Sequence, residues 1–320
     1  MSGHGWTPEQ MGDLSGRTAV VTGGNSGIGL EAATELARHG VHVVITSRDV
    51  GRGREALQRL RSRAAGANAE VRQLDLADLT SVESFADAFA GDHERLDLLV
   101  NNAGVMALPQ RQETADGFEM QLGTNHLGHF ALTGRLLPLL VAADGEARDA
   151  RVVTVSSNAH RAGRLSRDDP MAERRYQAWS AYGHSKLANL LFTHELQRRL
   201  TGAGSGVKAV AAHPGLAATN LVAAGPVSRA PRLLGSLANG ITALVSQPAT
   251  LGSWPTLRAA VDPEVDGGEY FGPSWPGQWR GAPVRVGTSA AAQSLDDARW
   301  LWEASARLTG VRYDALTTSA

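Results

Sequence analysis

The sequence predicts an α/β fold in which helices cover both faces of a doubly wound parallel sheet, and three observations lead there. Short β-branched runs alternate with longer helical patterns in units of roughly 30 residues, the length of a strand-helix-strand crossover. A glycine-rich turn separates the first run from the first helical stretch, and no linker divides the 320 residues. Thr18 to Thr22 is the first apolar run, flanked by Gly16 and Gly23, and Ile28 to His39 then repeats apolar residues at helical spacing up to Gly40. His42 to Thr46 reads as the second strand, Gly51 to Arg63 as a basic amphipathic helix, and Glu70 to Leu74 as the third strand. Ser81 to Ala90 supplies a helix and Leu96 to Asn101 a fourth strand.

The second half continues the alternation. Phe118 to Ala143 holds one long helix, bent near Gly123 or Gly128, and Arg151 to Ser156 is a β-branched strand. Ala181 to Leu200 reads as a helix, Val207 to His213 as a strand, Glu269 to Phe271 as a short last strand and Leu295 to Leu308 as a terminal helix. From Leu216 to Ala260 Gly, Pro, Ala and Leu mix without a clean period, although short helices are possible there. The expectation is therefore a single domain over 1–320, with a core at 14–215, a variable substrate lid at 216–260 and a C-terminal strand and helix at 261–320. Leu221, Val222, Leu233, Leu234, Leu237, Ile241 and Leu244 give the lid an apolar face. Trp254, Trp275 and Trp279 read as core or lid packing.

Composition excludes several classes of function. With 31 basic against 32 acidic residues, nothing draws the chain to nucleic acid or to an anionic membrane. No cysteine is present, which removes disulfides, thiolate nucleophiles and Cys-ligated zinc. Met1 to Gly16 is polar, and no uncharged apolar run approaches the roughly 18 residues a spanning helix needs. A soluble cytoplasmic protein without an integral membrane segment is expected, and homo-oligomerisation stays open. Among the ten histidines, the pairs His126 with His129 and His160 with His184 lack a carboxylate or third ligand at usual zinc spacing, so they read as packing residues and no metal is expected.

The most informative segment is Thr22-Gly23-Gly24-Asn25-Ser26-Gly27-Ile28-Gly29, between the first strand and the first helix. A helix N-terminus leaves backbone N–H groups unpaired, and glycines let a pyrophosphate approach them closely. A dinucleotide is the natural ligand, and an ordinary glycine-rich turn is the alternative.

The glycine spacing resembles the T-G-x-x-x-G-I-G turn of the short-chain dehydrogenase/reductase family, and further segments match that family in order. Asn101-Asn102-Ala103-Gly104 resembles its N-N-A-G, Asn125-His126-Leu127-Gly128 its N-x-x-G, and Tyr182-Gly183-His184-Ser185-Lys186 its Y-x-x-S-K. Ser156-Ser157 ends the fifth strand, and Pro214-Gly215 with Thr219 resembles P-G-x-x-x-T. Asn125 to Phe130 and Ser185 to Asn189 place the chain nearest the retinol-dehydrogenase-like subgroup. The resemblance implies a Rossmann-like fold, a nicotinamide cofactor, and a small-molecule carbonyl or alcohol as substrate. It assigns the catalytic roles to Asn125, Ser157, Tyr182 and Lys186. Cofactor contacts follow at Gly23, Asn25, Ser26, Gly27, Ile28, Gly29, Asn102, Ala103, Gly104, Pro214, Gly215 and Thr219, with Tyr182 and Lys186 on the nicotinamide ribose. Asp75 and Leu76 are implied at the adenine, where a solvated loop aspartate is the plainer reading. The family pattern alone selects Ser157 over Ser156, and it gives Asn125 the task of holding a helix distortion and linking Lys186 to solvent; a buried, satisfied asparagine is the alternative.

The chemistry also stands on the residues. Hydride transfer to a carbonyl makes an alkoxide, which needs a proton donor in reach and a charge to hold that donor ready. Tyr182 and Lys186 share one helix face four residues apart, so the ammonium, together with the positive charge of an oxidised nicotinamide, is expected to lower the phenol pKa from its usual value of about 10. Ser47 stands where enzymes of this fold that use NAD carry an acidic residue, and Arg48 follows it, which together predict NADP(H) preference over NAD(H). Asn25, Ser26 and Arg52 can assist. A non-catalytic NADP-sensing protein would lack one of the four catalytic residues, and an epimerase or dehydratase would space its glycines differently. A serine hydrolase centred on Ser157 lacks the G-x-S-x-G elbow.

Overall fold

The computed structural model describes residues 5–144, 149–216 and 247–316. Its strands are β1 (Thr18–Val21), β2 (His42–Ser47), β3 (Ala69–Gln73), β4 (Leu98–Asn101), β5 (Arg151–Val155), β6 (Lys208–Ala212), β7 (Tyr270–Pro273) and β8 (Pro283–Arg285). The helices are α1 (Gly27–Arg38), α2 (Val50–Arg63), α3 (Leu79–Asp92), the single turn α4 (Met120–Leu122), α5 (Gly128–Ala142), α6 (Ala178–Gly202), α7 (Ala249–Val261) and α8 (Leu295–Thr309). The eight strands form one sheet in the order β3-β2-β1-β4-β5-β6-β7-β8, parallel throughout except for β8. After β3 the chain returns to the middle and builds outward the other way. The connections leaving β1 and β4 therefore diverge and open a crevice beyond the C-terminal strand ends.

Both faces of the sheet are buried, which explains strands that read as continuous apolar runs. Alternate residues turn to opposite sides. Val20, Val44, Leu99 and Val152 pack under α3, α5 and the second half of α6, where Phe130, Phe192, Trp302 and Tyr313 form an aromatic cluster. Val21, Val43, Ile45, Val100 and Val153 pack under α1, α2 and α7. Each such side chain contributes about 1.5–3 kcal/mol on leaving water. Side-chain caps set the helix starts: Asp49 accepts from the backbone N–H of Arg52 at 3.0 Å at the head of α2, and Asp78 from that of Thr80 at 2.9 Å at the head of α3.

Two expectations change. The segment 216–260 was expected to be a substrate cover with short helices possible in it; its last part is helix α7, whose Leu257, Ala259 and Ala260 are buried against the sheet. The fully buried guanidinium of Arg151 anchors α7, donating to the backbone oxygens of Ala259 and Asp262 at 2.9 Å each and pairing with Asp149. Small residues and an internal Pro255 hid the helix from a period count, although they let it lie close on the sheet. The lid expectation now concerns 217–246, which, with all seven of its apolar residues and Thr219, lies outside the described residues. Strand β8 is the second change: it is three residues long and begins with Pro283, a composition tolerated on a sheet edge.

The expected bend in the long helix is a π turn, Gly123–Leu127, set between α4 and α5; the N–H of Gly128 reaches the carbonyl of Gly123. Such a turn shifts the hydrogen-bond ladder and re-aims side chains. Among the described residues no helix is long and apolar enough to cross a membrane.

Candidate active site

A cleft of about 670 Å³ occupies the crevice over the ends of β1, β2, β4, β5 and β6. Its floor is the turn after β1. Gly23 and Gly27 have φ of +63° and +53°, so both sit in the left-handed region open to glycine. A Cβ on Gly29 would lie 2.6 Å from the carbonyl oxygen of Gly23, and one on Gly23 would lie 3.0 Å from the Ala103 methyl. This turn therefore exposes bare backbone at the N-terminus of α1, a cradle suited to a pyrophosphate.

Thr22 holds the cradle to the segment after β4. Its hydroxyl accepts from the backbone N–H groups of Asn102 and Ala103 at 2.8 and 2.9 Å, while the Asn102 amide donates back to the Thr22 carbonyl at 2.8 Å. Nε2 of His129 lies 2.9 Å from the same hydroxyl, and Nδ1 lies 3.1 Å from the carbonyl of Asn125. With Nδ1–H donating to that carbonyl, Nε2 is left to accept from Thr22. Burial holds His129 at about 4, so the ring is neutral and keeps this arrangement. His129 thus joins the glycine turn to the π turn. Neither Thr22 nor His129 was assigned a role from sequence, and the 107-residue separation explains why; the i, i+4 spacing of Asn125 and His129 was the available signal.

The π turn carries Asn125. Its amide donates to the carbonyl of Val105 and to the Ser185 hydroxyl, both at 2.9 Å, and its side-chain oxygen accepts from the Val105 N–H at 2.8 Å. Lys186 lies one residue on from Ser185 and donates through Nζ to the carbonyl of Val155 at 3.0 Å. Ser156 donates to the carbonyl of Lys186 at 2.8 Å, which ties the end of β5 to α6. Ser157 instead accepts through its hydroxyl from the backbone N–H of Ala159 at 3.2 Å and lies beside Tyr182 at the cleft wall. The two adjacent serines therefore differ in what they touch. His160 sits beneath Ser157, with Nδ1 at 2.7 Å from its carbonyl and Nε2 accepting from the N–H of Ser289 at 3.2 Å. His126 bonds the Ser305 hydroxyl at 2.8 Å through Nε2, and His184 is buried in α6.

The electrostatics depart from expectation. The Lys186 ammonium together with an oxidised nicotinamide was expected to pull the Tyr182 phenol below its usual value; among the protein groups alone, burial pushes it up to about 12, with the neighbouring Ser157 acting the other way. Burial likewise brings Lys186 down to about 8. The physical reason is placement: Nζ lies over the Tyr182 ring, 5.8 Å from its centroid, and its hydrogen bond goes to Val155. Desolvation of the phenolate outweighs the attraction.

Gly23, Asn25, Ser26, Gly27, Ile28, Gly29, Arg48, Asp75, Leu76, Asn102, Ala103, Gly104, Ser157, Tyr182, Lys186, Pro214 and Gly215 all line the cleft. Asn125 stands behind it, beside Gly104, where an added Cβ would meet its Oδ1 at 2.9 Å. Asp75 caps its own loop by accepting from the N–H of Ala77 at 3.0 Å. Sequence reasoning missed the large apolar side chains at the mouth: Met106, Met120, Trp179, Leu216 and Trp279. Trp179 meets the Tyr182 ring edge-on at 6.0 Å and is 47% exposed, and Trp279 is 53% exposed on the connection between β7 and β8. The mouth is apolar and the floor is polar, so one end suits a charged dinucleotide and the other a carbon skeleton.

Comparisons with known proteins agree with this geometry. The short chain dehydrogenase family profile matches residues 17–226. Human retinol dehydrogenase 12 is 40% identical over 94% of this chain and 89% of its own, and human retinol dehydrogenase 13 is 39% identical over 93% and 86%. Among solved structures, an uncharacterised protein of Mycobacterium paratuberculosis is 42% identical, covering 97% of this chain and 99% of its own with a TM-score of 0.78. The RhlG/NADP active-site complex of Pseudomonas aeruginosa is 25% identical over 81% and 94%, with a TM-score of 0.64. The chain belongs to the short-chain dehydrogenase/reductase family of nicotinamide-dependent oxidoreductases, on its retinol-dehydrogenase-like side.

Proposed function

We propose that the protein is an NADP(H)-dependent oxidoreductase that interconverts a carbonyl and an alcohol on an apolar substrate, with Tyr182 as the acid/base. The observation that carries this reading is the convergence of Ser157, Tyr182 and Lys186 in one cleft with a bare-backbone glycine turn. The glycine cradle fits a pyrophosphate, and Lys186 and Tyr182 would face the nicotinamide ribose; when bound, the dinucleotide supplies or accepts the hydride. Ser157 orients the substrate oxygen, and Tyr182 gives it a proton during reduction. Lys186 holds positive charge beside the phenol, while Asn125 fixes the turn behind it. The human relatives carry retinol dehydrogenase in their names, and Met106, Met120, Trp179, Leu216 and Trp279 support a similarly apolar substrate here. No comparable observation favours the epimerase or the non-catalytic reading.

A phenol held near 12 is a ready donor at neutral pH and a rare base. Below that value the phenolate fraction falls tenfold per pH unit. Alcohol oxidation is therefore expected to gain kcat/KM with a slope near one from about pH 6 to about pH 8, flattening as Lys186 loses its proton, whereas reduction stays level. The groups facing the phenol are Lys186, Ser157 and Tyr270, of which only Lys186 changes charge in that window. Initial rates in both directions across this range test the assignment. Oxidation that is flat with pH would remove Tyr182 as the base.

A further inference from the structure

Three metal-ligating side chains converge at the end of the sheet opposite the cleft. Two periodicities bring them together. On β2, His42 and Val44 are two residues apart and face α3; Glu70 is the register partner of Val44 on β3. On α3, Phe85 and Phe89 recur every fourth residue, and His93 continues the row as the residue that caps the helix. The rings stack, Phe89 on His93 at 4.1 Å between centroids and His93 beside His42 at 5.6 Å. One ligand atom from each of His42, Glu70 and His93 lies within 4.8 Å of the other two.

The surroundings are those of a ligand set. His93 turns Nδ1 to the carbonyl of Phe89 at 3.2 Å, which fixes the tautomer and leaves the Nε2 lone pair available. Neither ring nitrogen of His42 has a hydrogen-bond partner among the described residues. Arg72 donates through Nε to Oε1 of Glu70 at 2.7 Å, orienting the carboxylate and leaving Oε2 for another partner. Its remaining charge is balanced by Asp92 at 2.9 Å, so Glu70, Asp92 and Arg72 together carry one net negative charge.

We propose that His42, Glu70 and His93 form a zinc-class divalent cation site, with solvent completing a tetrahedron. Two imidazoles and one carboxylate suit a borderline-soft ion better than magnesium or calcium. Tetrahedral zinc places its ligand atoms roughly 3.3 Å apart, so the three side chains must draw in by about 1.5 Å, which their partial exposure allows. The ligands come from β2, β3 and the end of α3, and a bound ion would pin the sheet edge to that helix. The site lies at the N-terminal strand ends, away from Tyr182, so it acts on stability rather than on the hydride step.

The test titrates chelator-treated, full-length protein with ZnCl2 by calorimetry and thermal unfolding, and with CoCl2 by visible absorption. Expected are one equivalent bound with a Kd of about 10 μM or tighter, a rise in Tm of roughly 3 °C or more at saturation, and the d–d bands of tetrahedral cobalt. His42→Ala and His93→Ala should each weaken binding at least tenfold, and Glu70→Gln, which keeps the side-chain volume, should do so with an unchanged metal-free Tm. Absence of a tetrahedral cobalt spectrum in the wild type, or zinc affinity unchanged in both histidine variants, would overturn the site.

Discussion

Tyr182→Phe is expected to bind NADPH as the wild type does and to lose roughly a hundred- to ten-thousandfold in kcat. The substitution removes one oxygen and keeps the ring, which packs edge-on against Trp179 and lies under the Lys186 ammonium. The cradle of Gly23, Gly27 and Gly29 and the Thr22 hydrogen bonds are elsewhere in the cleft and are undisturbed. What disappears is the hydroxyl proposed as proton donor, which shares the cleft wall with Ser157. Lys186→Met makes the informative contrast, because it deletes a buried charge that lies over the Tyr182 ring and is proposed to meet the ribose as well, and so should weaken NADPH binding as well as turnover. Fluorescence titration of NADPH and steady-state kinetics on the two variants separate these effects. A Tyr182→Phe variant with near-wild-type kcat would eliminate the phenol as the acid/base.

Coenzyme choice should reverse in Ser47→Asp/Arg48→Leu. Ser47 ends β2, where its hydroxyl donates to the carbonyl of Asp49 at 2.7 Å, and no carboxylate occupies its position to repel a 2′-phosphate. The nearby Asp49 carboxylate is engaged in capping α2. Arg48 is exposed and lines the cleft beside Arg52, leaving its guanidinium available for a charge-assisted fork. Each of the two charged hydrogen bonds in such a fork is worth about 1.5–3 kcal/mol. The wild type is accordingly expected to favour NADPH over NADH by roughly tens- to thousands-fold in kcat/KM, with the preference falling as salt screens the contact. The double variant removes the fork and installs the repulsion. Wild-type preference for NADH, or a double variant with an unmoved ratio, would show that Arg48 does not read the phosphate.

The parts of the fold visible in the sequence were those governed by local period. The strands β1, β2, β4, β5 and β6 are largely apolar runs between turn residues, β3 at the sheet edge alternates apolar with charged residues, and glycines mark the turns that follow β1 and precede β2. The helix α7 and strand β8 were not legible, since their character depends on what they pack against: α7 is small and proline-containing yet held by a buried arginine from β5. In the site, motif order was enough to name the residues that line the cleft. It could not show Thr22 and His129 meeting across 107 residues, nor the apolar mouth assembled from Trp179, Leu216 and Trp279. Spacing conveyed the charge neighbouring Tyr182 but nothing of the desolvation that, among the protein groups alone, raises its phenol.

The most direct test of the central claim follows the hydride itself. NADPH deuterated at C4, mixed with the protein and a long-chain apolar aldehyde, should place deuterium on the carbinol carbon of the alcohol product, at a rate lowered by at least a hundredfold in Tyr182→Phe. An alcohol product without deuterium from either face of the labelled ring, or NADPH that stays unoxidised across a panel of apolar aldehydes and ketones, would contradict hydride transfer as the activity of this cleft.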